Sequence, residues 1–190
     1  MIALDTNALS VMFIPGAVVS EPGADKPIKY AKERMEFLVE RLARAGETII
    51  IPTPVLAELL AKVLPERIPK LLTELGGSRW FRIESFDTPA AVELGARTAK
   101  AIASGDKREG SKADHTKVKF DRQILVIAMV SGANELISND PHLVSLGERW
   151  DFPVRGVHDL PLPPSLIIPP ILVPLEESDG KIASLPNMHP

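Results

Sequence analysis

Short apolar runs alternate with helical patterns along this chain, and several of those runs stop at a polar residue. Met1 to Leu4 is apolar and ends at Asp5, as a buried parallel strand does when it delivers a polar group at its carboxyl end. Thr48 to Ile51 is a second, β-branched run, Trp80 to Phe86 alternates apolar with polar, and Glu135 to Ser138 closes on Asn139-Asp140. Between these strands lie helical patterns. From Ile28, the residues Ala31, Met35, Leu38, Val39 and Leu42 recur at helical spacing and Gly46 ends the pattern. Thr53-Pro54 reads as an N-cap and first turn for the helix carrying Glu58, and Thr88-Pro89 repeats that signal for a helix reaching about Ser104. A stretch around Glu66 to Leu75 stops at Gly76-Gly77, and a helix from Val118 to Ser131 is apolar nearly all round. Strands alternating with helices across short connections predict an α/β domain, a parallel sheet with right-handed crossovers and helices on both faces. Functional groups are then expected at the carboxyl ends of the strands.

Three stretches fall outside that alternation. Met12 to Pro27 carries Pro15, Gly16, Pro22, Gly23 and Pro27 and reads as a loop, and Gly105 to Thr116 reads as a charged loop or helical extension. After Leu160 the prolines exclude helix and central strand, so residues 156–190 are expected to form a Pro-rich extension to a domain spanning 1–155. Its apolar section, Leu166 to Leu175, suits packing on the domain or on a second subunit.

Composition narrows the chemistry. A chain of 190 residues with 45% hydrophobic and 25% charged residues fits one ordinary globular domain. The 22 Lys and Arg against 25 Asp and Glu give a net charge of -3, so a polyanion would have to be drawn by a local patch. Cysteine is absent, which leaves oxygen and imidazole as the only metal ligands. Neither a secretory signal nor a bilayer-spanning run of about 20 apolar residues is legible, so the expected compartment is the cytoplasm.

Four acids stand in apolar company: Asp5 after Ile2-Ala3-Leu4, Glu58 within Val55-Leu56-Ala57-Glu58-Leu59-Leu60, Asp121 before the buried helix, and Asp140 after Leu136-Ile137. Unpaired buried carboxylates are costly, and a hard divalent cation with oxygen ligands would compensate such a cluster. That arrangement suits phosphodiester hydrolysis. Local readings compete with it. Asn139-Asp140-Pro141 also suits a turn capping the next helix, Glu58 an early-helix acid favoured by the dipole, and Asp106 or Asp114 could take the third acidic role.

Asp5-Thr6-Asn7 after a short strand, Pro52 to Leu59 opening a helix, Asp121 to Ala128 and Ile137 to Leu143 together resemble the PIN-domain nucleases, over about residues 1–155. The VapC-type toxins of toxin–antitoxin pairs are the nearest type. The resemblance implies a three-layer α/β/α fold, dependence on Mg²⁺ or Mn²⁺ and endonucleolytic cleavage of RNA. It makes Asp5, Glu58, Asp121 and Asp140 the metal-site acids, with Asn7 and Ser138 orienting them or contacting phosphate. RNA is the implied substrate and an antitoxin the implied partner, while a second copy of the chain is expected only from the apolar section of the extension.

Lys107, Arg108, Lys112, Lys117, Lys119 and Arg122 gather around the third acidic motif, and Lys117, Lys119 and Arg122 are expected to meet phosphates; Asp106, Glu109 and Asp114 dilute the patch. His142 reads as a packing residue outside the site, and His115, His158 and His189 lack metal-binding spacing. No Gly-rich phosphate loop is present. The reading from another class is a PIN-like protein that keeps the fold and the acids but acts by binding RNA or protein.

Overall fold

Ile2, Ala3 and Leu4 are buried in sequence without alternation, the mark of a strand covered on both faces, and they form β1 (Ile2–Leu4), the middle strand of the sheet. The computed structural model describes residues 1–106 and 114–167. There the chain runs β1, α1 (Thr6–Phe13), α2 (Ala31–Ala45), β2 (Ile49–Pro52), α3 (Thr53–Ala61), α4 (Ile68–Gly77), β3 (Phe81–Glu84), α5 (Thr88–Ala103), α6 (His115–Val130), β4 (Leu136–Ile137), α7 (Pro141–Arg149), β5 (Val154–Arg155) and a single turn α8 (Pro164–Ile167). All strand pairs are parallel, in the order β3-β2-β1-β4-β5, with Ala3 opposite Ile50 on one side and Leu136 on the other.

This is the predicted three-layer α/β/α fold. The chain winds from β1 outward through β2 to β3, then crosses back to β4 beside β1 and winds the other way to β5. Right-handed crossovers put α1 to α4 on one face and α5 to α7 on the other. Accordingly α1 packs on α2 and α3, and α6 packs on α5 and α7; α3 also touches α6, which brings the helix of Glu58 to the helix of Asp121. Helix α6 is the most enclosed, with Ile124 to Ala128 all buried, as its all-round apolar sequence predicts.

Several boundaries differ from the sequence expectation, each for a local reason. Helix α5 is capped by Asp87, whose carboxylate accepts from the Ala90 amide at 3.0 Å, so Thr88 is its first residue rather than its cap. In the same way Pro52 occupies the N-cap position of α3, with Thr53 as its first residue. Helix α6 begins at His115, before the expected Val118, because Asp114 accepts from the amides of Thr116 and Lys117. Helix α1 and strand β5 carry no pattern that marks them: one is eight residues long, the other two. The core also runs past residue 155, since Val157 and Leu160 are fully buried and Arg34 bonds the Leu160 carbonyl.

In the Met12 to Pro27 stretch, the first residues complete α1, and the rest is held by a bridge between Ser20 and Pro27 and by an ion pair of Lys26 with Glu21 at 2.9 Å. Among the described residues beyond Leu160, one helical turn, α8, forms against the expectation that the prolines exclude helix, because it opens at Pro164, where a proline suits a first turn; Leu166 and Ile167 on it are exposed. The remainder of the expected apolar section, residues 168–175, and the basic residues Lys107, Arg108 and Lys112 lie outside the described residues. No helix among the described residues is long and apolar enough to cross a membrane.

Candidate metal and phosphodiester site

Adjacent parallel strands whose connections leave in opposite directions open a crevice at their carboxyl ends, and β1 with β4 is that pair here. Asp5 follows β1 directly, and Ser138, Asn139 and Asp140 follow β4. Both acids sit at helix N-termini, Asp5 before α1 and Asp140 before α7, where the positive end of the helix favours a carboxylate. Asp140 is therefore also a cap: its Oδ1 accepts from the His142 amide at 2.8 Å. Capping uses Oδ1 alone and leaves Oδ2 facing the crevice, where it meets Lys117.

Ser138 links the two strand ends. Its hydroxyl donates to Asp5 Oδ2 at 2.7 Å and its oxygen accepts from the Asp140 amide at 3.1 Å. Asp5 is only 4% exposed, and this burial pushes its carboxyl from the ordinary 3.8 up to about 6. Hydrogen bonds from Ser138 and the Thr6 backbone oppose the rise, while the charges of Asp140 and Glu58 add to it. Replacing Ser138 with Ala removes a force holding that pKa down, so Asp5 is expected to titrate above 6. The lost bond and the orphaned Asp140 amide should cost about 1–2 kcal/mol of stability. A carboxyl-carbon NMR titration and urea unfolding check both; an unmoved Asp5 titration would contradict the bond.

The other acids come from helices. Asp121, in α6, is buried like Asp5, and burial pushes its carboxyl up, with Lys117 opposing, Asp140 reinforcing and His142 opposing. His142 Nδ1 stands 2.5 Å from Asp121 Oδ2, tying the start of α7 to α6. Glu58, by contrast, is exposed at the rim, so the argument from costly burial does not apply to it; Thr6 Oγ1 donates to its Oε2 at 2.7 Å and holds it toward Asp5. The alternatives for the third acid are otherwise engaged, Asp114 as the cap of α6 and Asp106 with Arg149 at 3.5 Å.

Of the three basic residues expected to meet phosphates, the structure separates all three. Lys119 is exposed. Lys117 turns into the acid cluster, bonded to Asp140 and 3.8 Å from Asp121 Oδ2. Arg122 is 7% exposed, so it has little surface to offer a polyanion, because its position on α6 turns toward the interior. Asn7 is partly exposed and lines a cavity of about 520 Å³ with Ser20, Glu21, Asp25, Asn139 and Pro141. Asn139 is buried and structural: its Oδ1 accepts from the Val157 amide at 2.8 Å and its Nδ2 donates to the Ser20 carbonyl at 3.0 Å. It thereby anchors the loop after α1 beside the site.

Thr6 and Asn139 are participants that patterns in the sequence do not single out, and His142, expected outside the site as a surface or packing residue, instead pairs with Asp121 within it, because α7 packs on α6. Only the dense polar run around each strand end hints at them. As a donor set, Asp5, Asp121, Asp140 and Glu58 offer the oxygens that Mg²⁺ or Mn²⁺ prefers. Among the described residues, however, no three Asp, Glu or His side chains are placed to hold one metal ion together. The acids are instead engaged by Ser138, Thr6, His142 and Lys117. The residues fit such an ion in the kind of donor they offer. No family model matches the chain, and no curated protein matches it.

Proposed function

We propose that this chain is a Mg²⁺- or Mn²⁺-dependent endoribonuclease of the PIN type. The observation that carries the reading is a pair of buried carboxylates, Asp5 and Asp121, in one electrostatically coupled cluster with Asp140 at the β1–β4 crevice. A fold does not keep two buried acids whose ionisation it opposes without some compensating charge. Asp5, Asp121 and Asp140 would hold the ion, with Glu58 approaching from the rim. When bound, the ion would supply Lewis-acid charge for activating water and for the phosphate oxygens.

The chain's own groups have distinct tasks in this reading. Ser138 fixes the rotamer of Asp5, His142 fixes that of Asp121, and Thr6 holds Glu58. Asn7, on the wall of the adjoining cavity, is placed to hydrogen-bond substrate, and exposed Lys119 to attract phosphate. The resemblance to VapC-type toxins makes an antitoxin the expected protein partner.

Cleavage of a mixed RNA pool by the purified protein in Mg²⁺ or Mn²⁺, and in EDTA, tests the proposal beside Asp5→Asn and Asp140→Asn of verified folding. Metal-dependent cleavage lost in both variants is the expected result. One observation favours the second reading, a binding module: the Lys117 ammonium itself supplies positive charge to Asp140 and Asp121. RNA retention in EDTA with no cleavage under either metal would support that reading and overturn the first.

A further inference from the structure

We propose that Lys117 is a cation carried by the chain that competes with a divalent metal ion for Asp140 and Asp121, so that its displacement sets the metal affinity of the site. The inference rests on reading these acids as a metal site.

The ammonium is placed where a metal would have to act. Its Nζ bonds Asp140 Oδ2, stands 3.8 Å from Asp121 Oδ2 and interacts electrostatically with Asp5. It therefore touches or influences three of the four acids, and it bridges the N-terminus of α7 to α6 across 23 residues of sequence. Its location is not what its own helix favours. Lys117 lies in the first turn of α6, where the helix dipole repels a cation, so the acids across the crevice are what hold it.

The backbone there is fixed independently. Asp114 accepts from the Lys117 amide at 2.9 Å, so the side chain can leave without unwinding the helix. With a side chain 42% exposed, Lys117 also has an outlet to solvent, and a four-carbon stem ending in a compact charge needs only a rotamer change. An ammonium and a divalent ion on the same carboxylate oxygen would stand a few ångströms apart and repel each other strongly, so binding of one weakens binding of the other. By linkage, a group that must be expelled for metal to bind lowers metal affinity by the strength of its own attachment.

Calorimetric titration of the full chain with MnCl₂ tests this in the wild type, Lys117→Met, Lys117→Arg and a charge control, Lys62→Met, at an exposed position. Removing one competing charge from a partly exposed site should tighten Mn²⁺ binding about tenfold in Lys117→Met. Lys117→Arg should stay near the wild type, and Lys62→Met within about twofold of it. Metal-free Lys117→Met should melt lower than the wild type and gain more on saturation with Mn²⁺. If Lys117→Met does not fold, acylation of Lys117 followed by mass spectrometry gives a readout in the wild type: labelling should rise several-fold from EDTA to saturating Mg²⁺. Equal Mn²⁺ affinity in the wild type and Lys117→Met, or labelling indifferent to Mg²⁺, overturns the proposal while leaving the metal site standing. Absence of Mn²⁺ binding by every variant removes the metal-site reading and this proposal with it.

Discussion

Asp5→Asn is expected to abolish RNA cleavage and, in the same protein, to raise the stability of the metal-free fold at neutral pH. The first effect follows, on the proposed function, from removing a buried carboxylate at the end of β1 that would hold the ion, and a loss of about a thousandfold or more is expected, beyond what supporting residues of a metal site usually cost. The second follows from linkage. The carboxyl of Asp5 titrates at about 6 in the fold against an ordinary 3.8. Between those values the unfolded chain has released the proton and the native protein still holds it, so stability falls as pH rises through the window and stays reduced above it. The shift corresponds to about 3 kcal/mol at neutral pH.

Asparagine keeps an oxygen for the Ser138 hydroxyl and removes the charge that burial, Asp140 and Glu58 all oppose. Urea unfolding in EDTA from pH 4 to 8 should therefore show the variant drawing ahead of the wild type as pH rises, by up to about 3 kcal/mol, with little difference near pH 4. Parallel curves would mean that Asp5 is not the strained acid the structure describes. A stability gain paired with loss of activity would also separate a functional acid from one that serves the fold.

Gly147→Ala should destabilise the protein by about 3 kcal/mol, at the upper end of overpacking changes, and lower the melting temperature by about 6–12 °C. Helix propensity alone points the other way, since alanine is favoured over glycine inside a helix by up to about 1 kcal/mol. The packing decides the sign. A Cβ at Gly147 would overlap Val154 Cγ2 and come within 2.7 Å of the Phe152 carbonyl oxygen. Neither can give way easily, because Val154 is in β5, paired to β4, and the Phe152 amide donates back to the Gly147 carbonyl at 2.9 Å. Asp140 caps helix α7, so pushing the helix off β5 should also displace this acid and reduce the proposed cleavage. Thermal denaturation with Gly147→Ala at or above the wild-type temperature would show that α7 does not sit this close to the sheet.

The candidate site was legible to the extent that it follows from strand ends. In a parallel sheet the residue after a strand faces the crevice, so Asp5, Ser138 and Asp140 could be placed from their positions after apolar runs. Glu58 and Asp121 were harder, since a helix offers every direction in turn. Asp121 is buried and Glu58 is exposed, although both stand in apolar sequence. The three basic residues of the expected patch occupy successive turns or faces of one helix, and only packing turned Arg122 inward, Lys117 into the acids and Lys119 outward.

By itself the sequence determined the alternation of strand and helix, the parallel α/β class and the placing of acids beside the ends of β1 and β4, because those depend on the spacing of apolar residues along a short stretch. It did not contain the two-residue strand β5, the pairing of His142 with Asp121 or the reach of Lys117 to Asp140, which join segments far apart in the chain. Tertiary structure decided these, because contact between helices depends on which faces the sheet order brings together, and local periodicity carries no record of that order.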